Sequence, residues 1–343
     1  MKYNTLELLK ELCNSNGVSG FERETALLIA EKIKDACNSL YISKVGNLVA
    51  FKKGKKTPPA NIMYCAHMDE VGMMIRHIND DGTLLFEQTG IMPYVLPSKR
   101  VAVGKKRIPG VICSKPVHLL KDGGERISEK HMYIDIGAKS KEEAENLGVY
   151  TDYAAFENNF TVFGDGNMIC SKALDDRIGC AVMIQMINSD LEYDSHFVFT
   201  VGEELGGAGA VEAARLVKPD IAIVFESTTA SDIPSNKGAD RVCSPGSGAV
   251  MPFMDGGTLY DRDLHAKIGE IARRHGVKIQ TKSKIAGGTD AAYLQRSIDG
   301  VRVCAVSLAC RYIHTACCVA SVKDVESYEA LAKLIDKNMS ELI

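Results

Sequence analysis

Apolar residues recur along the chain either at helical spacing or in short continuous runs that are typical of buried strands. Leucines within 6–12 share one face and predict a first helix, which Asn4 or Thr5 can cap. The segment Ser19-Gly-Phe-Glu22 has the spacing of a capping box and predicts a second helix that continues to about Cys37. The strands predicted next cover residues 42–45, 48–51 and 62–66. The chain therefore begins as an α/β unit.

The pattern changes between residues 72 and 164, where short β-prone runs are separated by glycine, proline and aspartate. One helix is predicted inside this region at 140–147, capped by Ser140 and ended by Gly148. The β-prone runs cover residues 72–78, 83–88, 100–103, 110–114 and 131–136. This density of short strands predicts a small β-barrel or sandwich.

Helices and strands alternate again after residue 164. The predicted helices cover residues 177–187, 207–217 and 264–275, and the predicted strands cover residues 196–201, 221–225 and 301–307. The fold class is therefore α/β. We expect one discontinuous α/β domain, residues 1–71 and 165–343, interrupted by a β-rich insertion at 72–164.

Composition limits the possible functions. The 343 residues carry 44 acidic and 41 basic side chains, so nucleic-acid or anionic-membrane binding has no electrostatic support. The N-terminus has charges within its apolar stretch and no cleavage site, and no run approaches the length of a membrane span. Eleven scattered cysteines favour reduced, buried thiols. We therefore expect a cytoplasmic protein.

Acidic and histidine side chains lie where predicted strands end, which is where open α/β sheets place their sites. His67 and Asp69 follow the strand at 62–66, Glu203 and Glu204 follow the next, and Glu226 follows a third. Two further candidates are Asp175, at the start of a predicted helix, and His314, after the strand at 301–307. This placement brings distant residues together.

Neutral imidazoles and carboxylates are the ligands that zinc and similar cations accept. Two cations bridged by a carboxylate would activate a shared water and polarise a peptide carbonyl. A free carboxylate must then move the proton, and Glu203, beside the candidate ligand Glu204, is the expected general base. Asp69, two residues after His67, suits a role in orienting that imidazole.

Five motifs in this order resemble the tetrahedral aminopeptidase family, which includes glutamyl and deblocking aminopeptidases. The resemblance covers nearly the whole chain and includes the early segment Gly17-Val-Ser-Gly20. The motifs are His67-Met-Asp-Glu-Val-Gly72, Ala173-Leu-Asp-Asp-Arg-Ile-Gly179, Gly202-Glu-Glu-Leu-Gly206, Gly287-Gly-Thr-Asp-Ala291 and Arg311-Tyr-Ile-His314. It implies an α/β/α zinc-peptidase domain of the phosphorylase/hydrolase-like fold with an inserted PDZ-like small β-barrel.

The resemblance also implies a ligand set for two divalent metal ions per chain, zinc or cobalt. His67 and Glu226 would bind one ion and Glu204 and His314 the other, with Asp175 as the bridge. Many members have aspartate in place of Glu226, which makes a nearby Asp232 an alternative ligand.

Further positions follow from the same resemblance. It places a cis peptide bond between Asp175 and Asp176, and it makes Thr289 and Asp290 candidates for substrate binding. Asp290 could equally cap a glycine turn. His118, in the insertion, is expected to be an ordinary loop residue.

The implied function is the removal of N-terminal residues from short peptides, with the discontinuous α/β domain as the catalytic domain. The resemblance also implies a dodecamer built from dimers through the insertion at 72–164, which would serve dimerisation and assembly. One alternative is deacylation of N-acyl amino acids, and a second is an endoglucanase, against which the lack of tryptophan and the 6% aromatic content argue. A non-catalytic protein with a relic site is a third. The preferred N-terminal residue and the native metal stay open, and the loop at 252–257 offers both an apolar and an acidic option.

Overall fold

The computed structural model describes residues 2–114, 131–297 and 300–343, so His118 lies outside the described residues. Strands are β1 (Ser39–Ile42), β2 (Leu48–Lys52), β3 (Ile62–His67), β4 (Gly72–Ile78), β5 (Leu84–Thr89), β6 (Arg100–Val103), β7 (Ile108–Cys113), β8 (Tyr133–Asp135), β9 (Tyr153–Phe156), β10 (Thr161–Phe163), β11 (Met168–Ser171), β12 (Ser195–Thr200), β13 (Ile221–Thr229), β14 (Ala249–Val250), β15 (Ile279–Gln280), β16 (Arg302–Arg311) and β17 (Cys318–Ser321). Helices are α1 (Thr5–Asn14), α2 (Arg23–Ile33), α3 (Lys141–Leu147), α4 (Leu174–Ile187), α5 (Ala208–Val217), α6 (Arg262–Arg274), α7 (Asp290–Gln295), α8 (Val322–Lys337) and α9 (Met339–Leu342).

A large mixed sheet forms the centre of the molecule. Its main path runs β1-β2-β12-β3-β13-β16-β17-β11-β10, and β14 and β15 pair beside β16. The four strands β12, β3, β13 and β16 are parallel neighbours. Strands buried on both faces need apolar residues throughout, which is why β3 reads as the unbroken run Ile-Met-Tyr-Cys-Ala before its final histidine. The predicted α/β class is confirmed.

Helices cover the sheet on both faces. Apolar residues of α1, α2, α4, α6 and α8 pack into one core against the sheet, and those of α5 and α7 pack into a second core on the opposite face. None of the helices in the described ranges combines the length and the apolar character that crossing a bilayer requires. The eleven cysteines, all within the described residues, carry free thiols.

The inserted region contains a closed β-barrel, as the density of short strands predicts. Its strands follow the order β4-β5-β8-β7-β6-β9 around a core that includes Met73, Leu84 and Ile134. Strand β10 pairs with β11 and belongs to the large sheet. The predicted division of the chain at residues 72 and 164 stays a prediction.

Two local predictions near the N-terminus are wrong, and the prediction of the first helix is confirmed. Asn4 caps α1 by accepting the N–H groups of the second and third helical residues. The predicted capping box does not form, because the Ser19 hydroxyl donates to Asp69 and α2 starts at Arg23 and ends at Ile33. The strand predicted at 42–45 lies earlier, at β1, because the chain turns through Gly46 at a φ of 123°.

A fully buried group of charges holds the segments that lead into the sheet edge. The Lys172 ammonium donates to both oxygens of Glu70, at 2.7 and 2.6 Å, and to the Ser15 carbonyl at 3.0 Å. Glu70 also accepts the backbone N–H of Gly17. Buried charges persist only when they are paired in this way. The pairing joins the loop after β3 to the N-terminal segment and to the chain entering α4.

Helix α5 approaches the end of β12 so closely that its first turn has room only for glycine. A Cβ on Gly209 would overlap the Val201 carbonyl oxygen and lie 2.6 Å from the Asn47 side-chain oxygen. By contrast, a Cβ on Gly269 in α6 would meet the Ile279 side chain at 3.7 Å, which is an ordinary contact.

We expect Gly209→Ala to lower the free energy of unfolding by about 1–3 kcal/mol, because α5 must move away from Val201. The control Gly269→Ala should raise it by about 0.5–1 kcal/mol, since alanine costs less backbone entropy than glycine in a helix. Urea unfolding followed by circular dichroism measures both. Equal effects of the two substitutions would contradict the proposed contact.

Candidate metal centre

The sheet edge brings together side chains that are far apart in the sequence. His67 is the last residue of β3, and Glu203 and Glu204 lie in the turn after β12. Glu226 lies inside β13, where it pairs in register with Ser307 of β16. The strand was predicted to end before this glutamate, but it continues to Thr229. His314 follows β16, which also extends further than predicted, to Arg311.

Two groups of histidine and acid meet at Asp175. The Nε2 atom of His67 lies 3.5 Å from one oxygen of Asp175 and 3.8 Å from Glu226. The Nε2 atom of His314 lies 3.6 Å from the other oxygen of Asp175 and 3.4 Å from Glu204. The two groups of three are His67, Asp175 and Glu226, and Asp175, Glu204 and His314. Within each group, one potential ligand atom from each residue lies within 4.8 Å of the other two. One carboxylate therefore faces both imidazoles, with one oxygen toward each.

Both imidazoles are oriented by contacts to their other ring nitrogen. Nδ1 of His67 lies 3.1 Å from the Asp69 carbonyl oxygen and 3.4 Å from its carboxylate. Nδ1 of His314 lies 2.9 Å from the carbonyl oxygen of Gly90, just after β5. Oxygens at Nδ1 leave Nε2 directed into the cleft, which is the arrangement that metal-binding histidines need.

Asp69 connects several parts of the site. Its carboxylate accepts the backbone N–H groups of Glu203 and Glu204, both at 3.1 Å, and the Ser19 hydroxyl at 2.6 Å. It therefore holds the turn that carries the two glutamates beside His67.

The electrostatics of the cleft show an excess of negative charge. Burial raises the pKa of Glu204 to about 7, and the nearby Asp175 raises it further. Burial also raises the pKa of Glu226 and Glu203 well above their usual range. Burial opposes ionisation of Asp175 too, but the neighbouring imidazoles of His314 and His67 hold its pKa below the usual range. A cation in the cleft would stabilise all four carboxylates in their charged form.

The buried oxygens support the same interpretation. One oxygen of Asp175 and one of Glu226 are buried and have no hydrogen-bond partner among the described residues. Buried polar atoms are almost always satisfied, so an unpaired carboxylate oxygen points to a missing partner. Imidazole nitrogen with carboxylate oxygen is a donor set that fits zinc and related cations. The residues present therefore fit a metal centre.

Glu203 is placed so that it could also bind a metal. It forms a third group of closely spaced potential ligands with His67 and Glu204. Geometry alone thus allows Glu203 either as a ligand or as the base that the sequence predicts.

The structure also locates two other features predicted from the sequence, the cis peptide bond and Asp232. The peptide bond between Asp175 and Asp176 is cis, at the position the resemblance gives. Asp232 belongs to none of the metal-type groups found among the described residues, and Arg311 holds both of its oxygens, at 2.8 and 2.6 Å. The Asp232 carboxylate is therefore already neutralised.

The two substrate-binding candidates differ in position. Thr289 lines the cleft and caps α7 by accepting the Ala291 N–H at 3.2 Å. Asp290 is only 1% exposed, lies behind the cleft and accepts the Thr200 hydroxyl at 2.5 Å. Asp290 thus connects the start of α7 to the end of β12.

The cleft widens into a cavity of about 840 Å³ in front of the acidic residues. Sequence reasoning missed two of its features, the carbonyl of Gly90 behind His314 and the buried amine of Lys282. No motif marks either position. Residues that line the cavity include His67, Tyr94, Glu203, Lys282, Tyr293 and His314.

Known proteins share this fold and sequence along most of their length. The lysyl aminopeptidase of Pyrococcus furiosus is 32% identical over 340 residues, which cover 96% of this chain and 96% of that protein. The TET1 peptidase of Pyrococcus horikoshii, described as able to assemble into a tetrahedron or a large octahedral shell, is 31% identical with a TM-score of 0.85, covering 97% and 99% of the two chains.

A Thermotoga maritima structure described as an endoglucanase is also similar, at 29% identity and a TM-score of 0.81, covering 97% of this chain and 98% of that one. The family profile of the M42 glutamyl aminopeptidases matches residues 46–331. The match includes His67, Asp175, Glu204, Glu226 and His314. On this match the chain belongs to the M42 glutamyl aminopeptidase family.

Proposed function

We propose that this protein is a dinuclear metallo-aminopeptidase that removes N-terminal residues from short peptides. The observation that carries the proposal is the position of Asp175, whose two oxygens each face a different imidazole. A bridging carboxylate of this kind is what two adjacent cations require. The family membership supports the peptidase activity independently.

In this proposal each half of the cleft holds one divalent cation, zinc or cobalt. His67 and Glu226 would hold the first, Glu204 and His314 would hold the second, and Asp175 would serve both. When bound, the ions activate water as a nucleophile and polarise the scissile carbonyl. Asp69 and the Gly90 carbonyl keep the two imidazoles in the tautomer and orientation that binding needs.

Glu203 acts as the general base in this mechanism. Its partly exposed carboxylate lines the cavity beside Glu204, so it can reach a water that attacks a peptide carbonyl. Glu203 takes the proton from that water and returns it to the leaving amine, which releases the N-terminal residue. The raised pKa of Glu203 that burial causes makes it a stronger base.

The alternatives fit the cleft less well. A glycosidase needs two carboxylates facing a sugar, whereas here imidazoles lie between the acids within 4.8 Å. An N-acyl amino acid deacylase would use the same ligands on a substrate without an ammonium group. Membership of an aminopeptidase family favours the peptidase over the deacylase.

The assembly and location remain predictions. The P. horikoshii peptidase can assemble into a tetrahedron or a large octahedral shell, and we propose that this chain forms a dodecamer built from dimers through the inserted barrel. We also propose that this barrel is PDZ-like and that the insertion spans residues 72–164. The protein is expected to be cytoplasmic.

We expect Glu203→Gln to lower kcat by roughly 10²- to 10⁴-fold while the metal content stays at two ions per chain, because glutamine cannot accept the proton. Steady-state kinetics on an aminoacyl anilide and elemental analysis measure the two quantities. Glu326→Gln, exposed on α8, is the control with the same chemical change. Loss of one ion in Glu203→Gln would make Glu203 a ligand, and unchanged turnover would rule it out as the base.

Separate substitutions should remove the ions one at a time. We expect His67→Ala and His314→Ala each to retain one ion per chain after dialysis against a weak chelator, since each removes a ligand from one half of the cleft. Elemental analysis of the dialysed protein gives the count. His77→Ala, exposed on β4, should keep both ions. Complete loss of metal in both single variants would show one shared site instead of two.

A substrate panel distinguishes the three hydrolase reactions. The metal-loaded protein should cleave leucyl anilide with a free amine and leave the N-acetylated form uncut, because acetylation removes the ammonium charge. A chelator should abolish the activity. Cleavage of only the acetylated form would indicate a deacylase, and chelator-resistant hydrolysis of soluble cellulose would indicate a glycosidase.

A further inference from the structure

The two imidazoles of the proposed metal centre lie in different surroundings. His67 is the last residue of a buried strand, and its side chain is only 1% exposed. His314 lies in the loop between β16 and β17, at a φ of 59°, and its side chain is 41% exposed. A side chain on such a loop keeps one orientation only where another element bonds to it. The direction of the His314 ring therefore depends on bonds to the ring itself.

One such bond comes from the inserted barrel. Nδ1 of His314 lies 2.9 Å from the carbonyl oxygen of Gly90, which directly follows β5. A proton on Nδ1 that is donated to this carbonyl leaves Nε2 free to bind a cation. That nitrogen faces Asp175 at 3.6 Å and Glu204 at 3.4 Å. The barrel thus fixes the tautomer and the direction of one of the two imidazoles.

The side chain of Gln88 closes the turn that presents this carbonyl. Its Oε1 atom accepts the backbone N–H of Ile91 at 2.6 Å, across Thr89 and Gly90. Both ends of the turn are anchored in the barrel, because Gln88 pairs with Met73 of β4 and Ile91 is buried in the barrel core. A bond from a side chain to the backbone three residues later holds a turn in one conformation. Gln88 therefore controls where the Gly90 carbonyl points.

The turn also packs directly against the second half of the cleft. Gly90 has a φ of 71°, a region that favours glycine. A Cβ at this position would lie 2.8 Å from the Val71 side chain and 3.1 Å from a carboxylate oxygen of Glu204. A shift of the turn would therefore reach Glu204 as well as His314.

The other imidazole is oriented without the barrel. Nδ1 of His67 contacts the carbonyl oxygen and the carboxylate of Asp69, two residues later in the chain. The acids grouped with His67 are Asp175 and Glu226, which lie in α4 and β13. A change in the turn after β5 should therefore alter one half of the cleft and leave the other intact.

We propose that Gln88 is a positioning residue for the second half of the metal centre. Through the turn at Gly90 it sets the orientation of His314, and with it the affinity for the cation that His314, Glu204 and Asp175 would hold. The inference rests on the proposed dinuclear function and extends it to a residue of the insertion that lies in none of the five motifs.

The test uses two variants that differ in whether they keep the acceptor. Gln88→Met keeps the length of the side chain and removes the acceptor oxygen, whereas Gln88→Glu retains one. Glu87→Met is the matched control on the neighbouring residue of β5, whose side chain is 63% exposed. The full-length protein is freed of metal and titrated with Co²⁺ by calorimetry. Each substitution is also combined with His314→Ala, which leaves only the first half of the cleft.

We expect Gln88→Met to raise the Kd of one of the two Co²⁺ ions by roughly 10- to 100-fold, the usual effect of losing a contact that orients a metal ligand. The Kd of the other ion should stay unchanged, which also shows that the variant is folded. Gln88→Glu should restore most of the affinity, and Glu87→Met should match the wild type. Combined with His314→Ala, Gln88→Met should cause no further loss, because the residue through which it acts is gone.

Three results would overturn the role of Gln88 and leave the proposed function standing. They are wild-type affinity for both ions in Gln88→Met, an equal loss for both ions, and the same loss in the presence of His314→Ala. The second and third would mean that Gln88 supports the fold in general. Binding of fewer than two Co²⁺ ions by the wild type, or of none by His67→Ala and His314→Ala alike, would instead overturn the proposed dinuclear centre and this inference with it.

Discussion

Burial of several carboxylates around one shared aspartate is the constraint on which the rest of this structure depends. Among the described residues, Asp175 is flanked by Glu204 and Glu226, and the imidazoles of His67 and His314 lie between these acids. Such a group repels itself unless positive charge enters the cleft. Burial raises the pKa of the two glutamates, which favours their neutral form as long as no cation is present. The fold therefore preserves a deficit of positive charge.

Hydrogen bonds from distant parts of the chain hold these acidic and histidine side chains together. Asp69 joins His67 to the turn of Glu203 and Glu204, and Ser19 from the N-terminal segment donates to the same carboxylate. The Gly90 carbonyl, from the loop that leaves β5 of the inserted barrel, orients His314. The barrel is thus in direct contact with the site. A displacement of the insertion relative to the large sheet would turn the imidazole away from Asp175.

The sequence predicts those site residues that directly follow a recognisable apolar strand. The run before His67 is continuous and apolar because β3 is buried on both faces, so strand and site residue are predicted together. Ser19 shows the limit, since its spacing fits a helix cap but its hydroxyl donates to Asp69, fifty residues away. Asp232 is a similar case, because only the folded chain shows that Arg311 has taken its carboxylate.

Helix α8 was not predicted from the apolar pattern, and the reason is physical. Charged residues interrupt its buried face, among them Asp324, which accepts the N–H groups of Gly246 and Gly248. A carboxylate that is buried because it bonds to a distant loop looks like a surface residue in the sequence. Lys282 is hidden for the same reason. A single lysine carries no periodic signal, and only the folded chain shows that Lys282 is buried at the cavity and bonded to the Ala286 carbonyl.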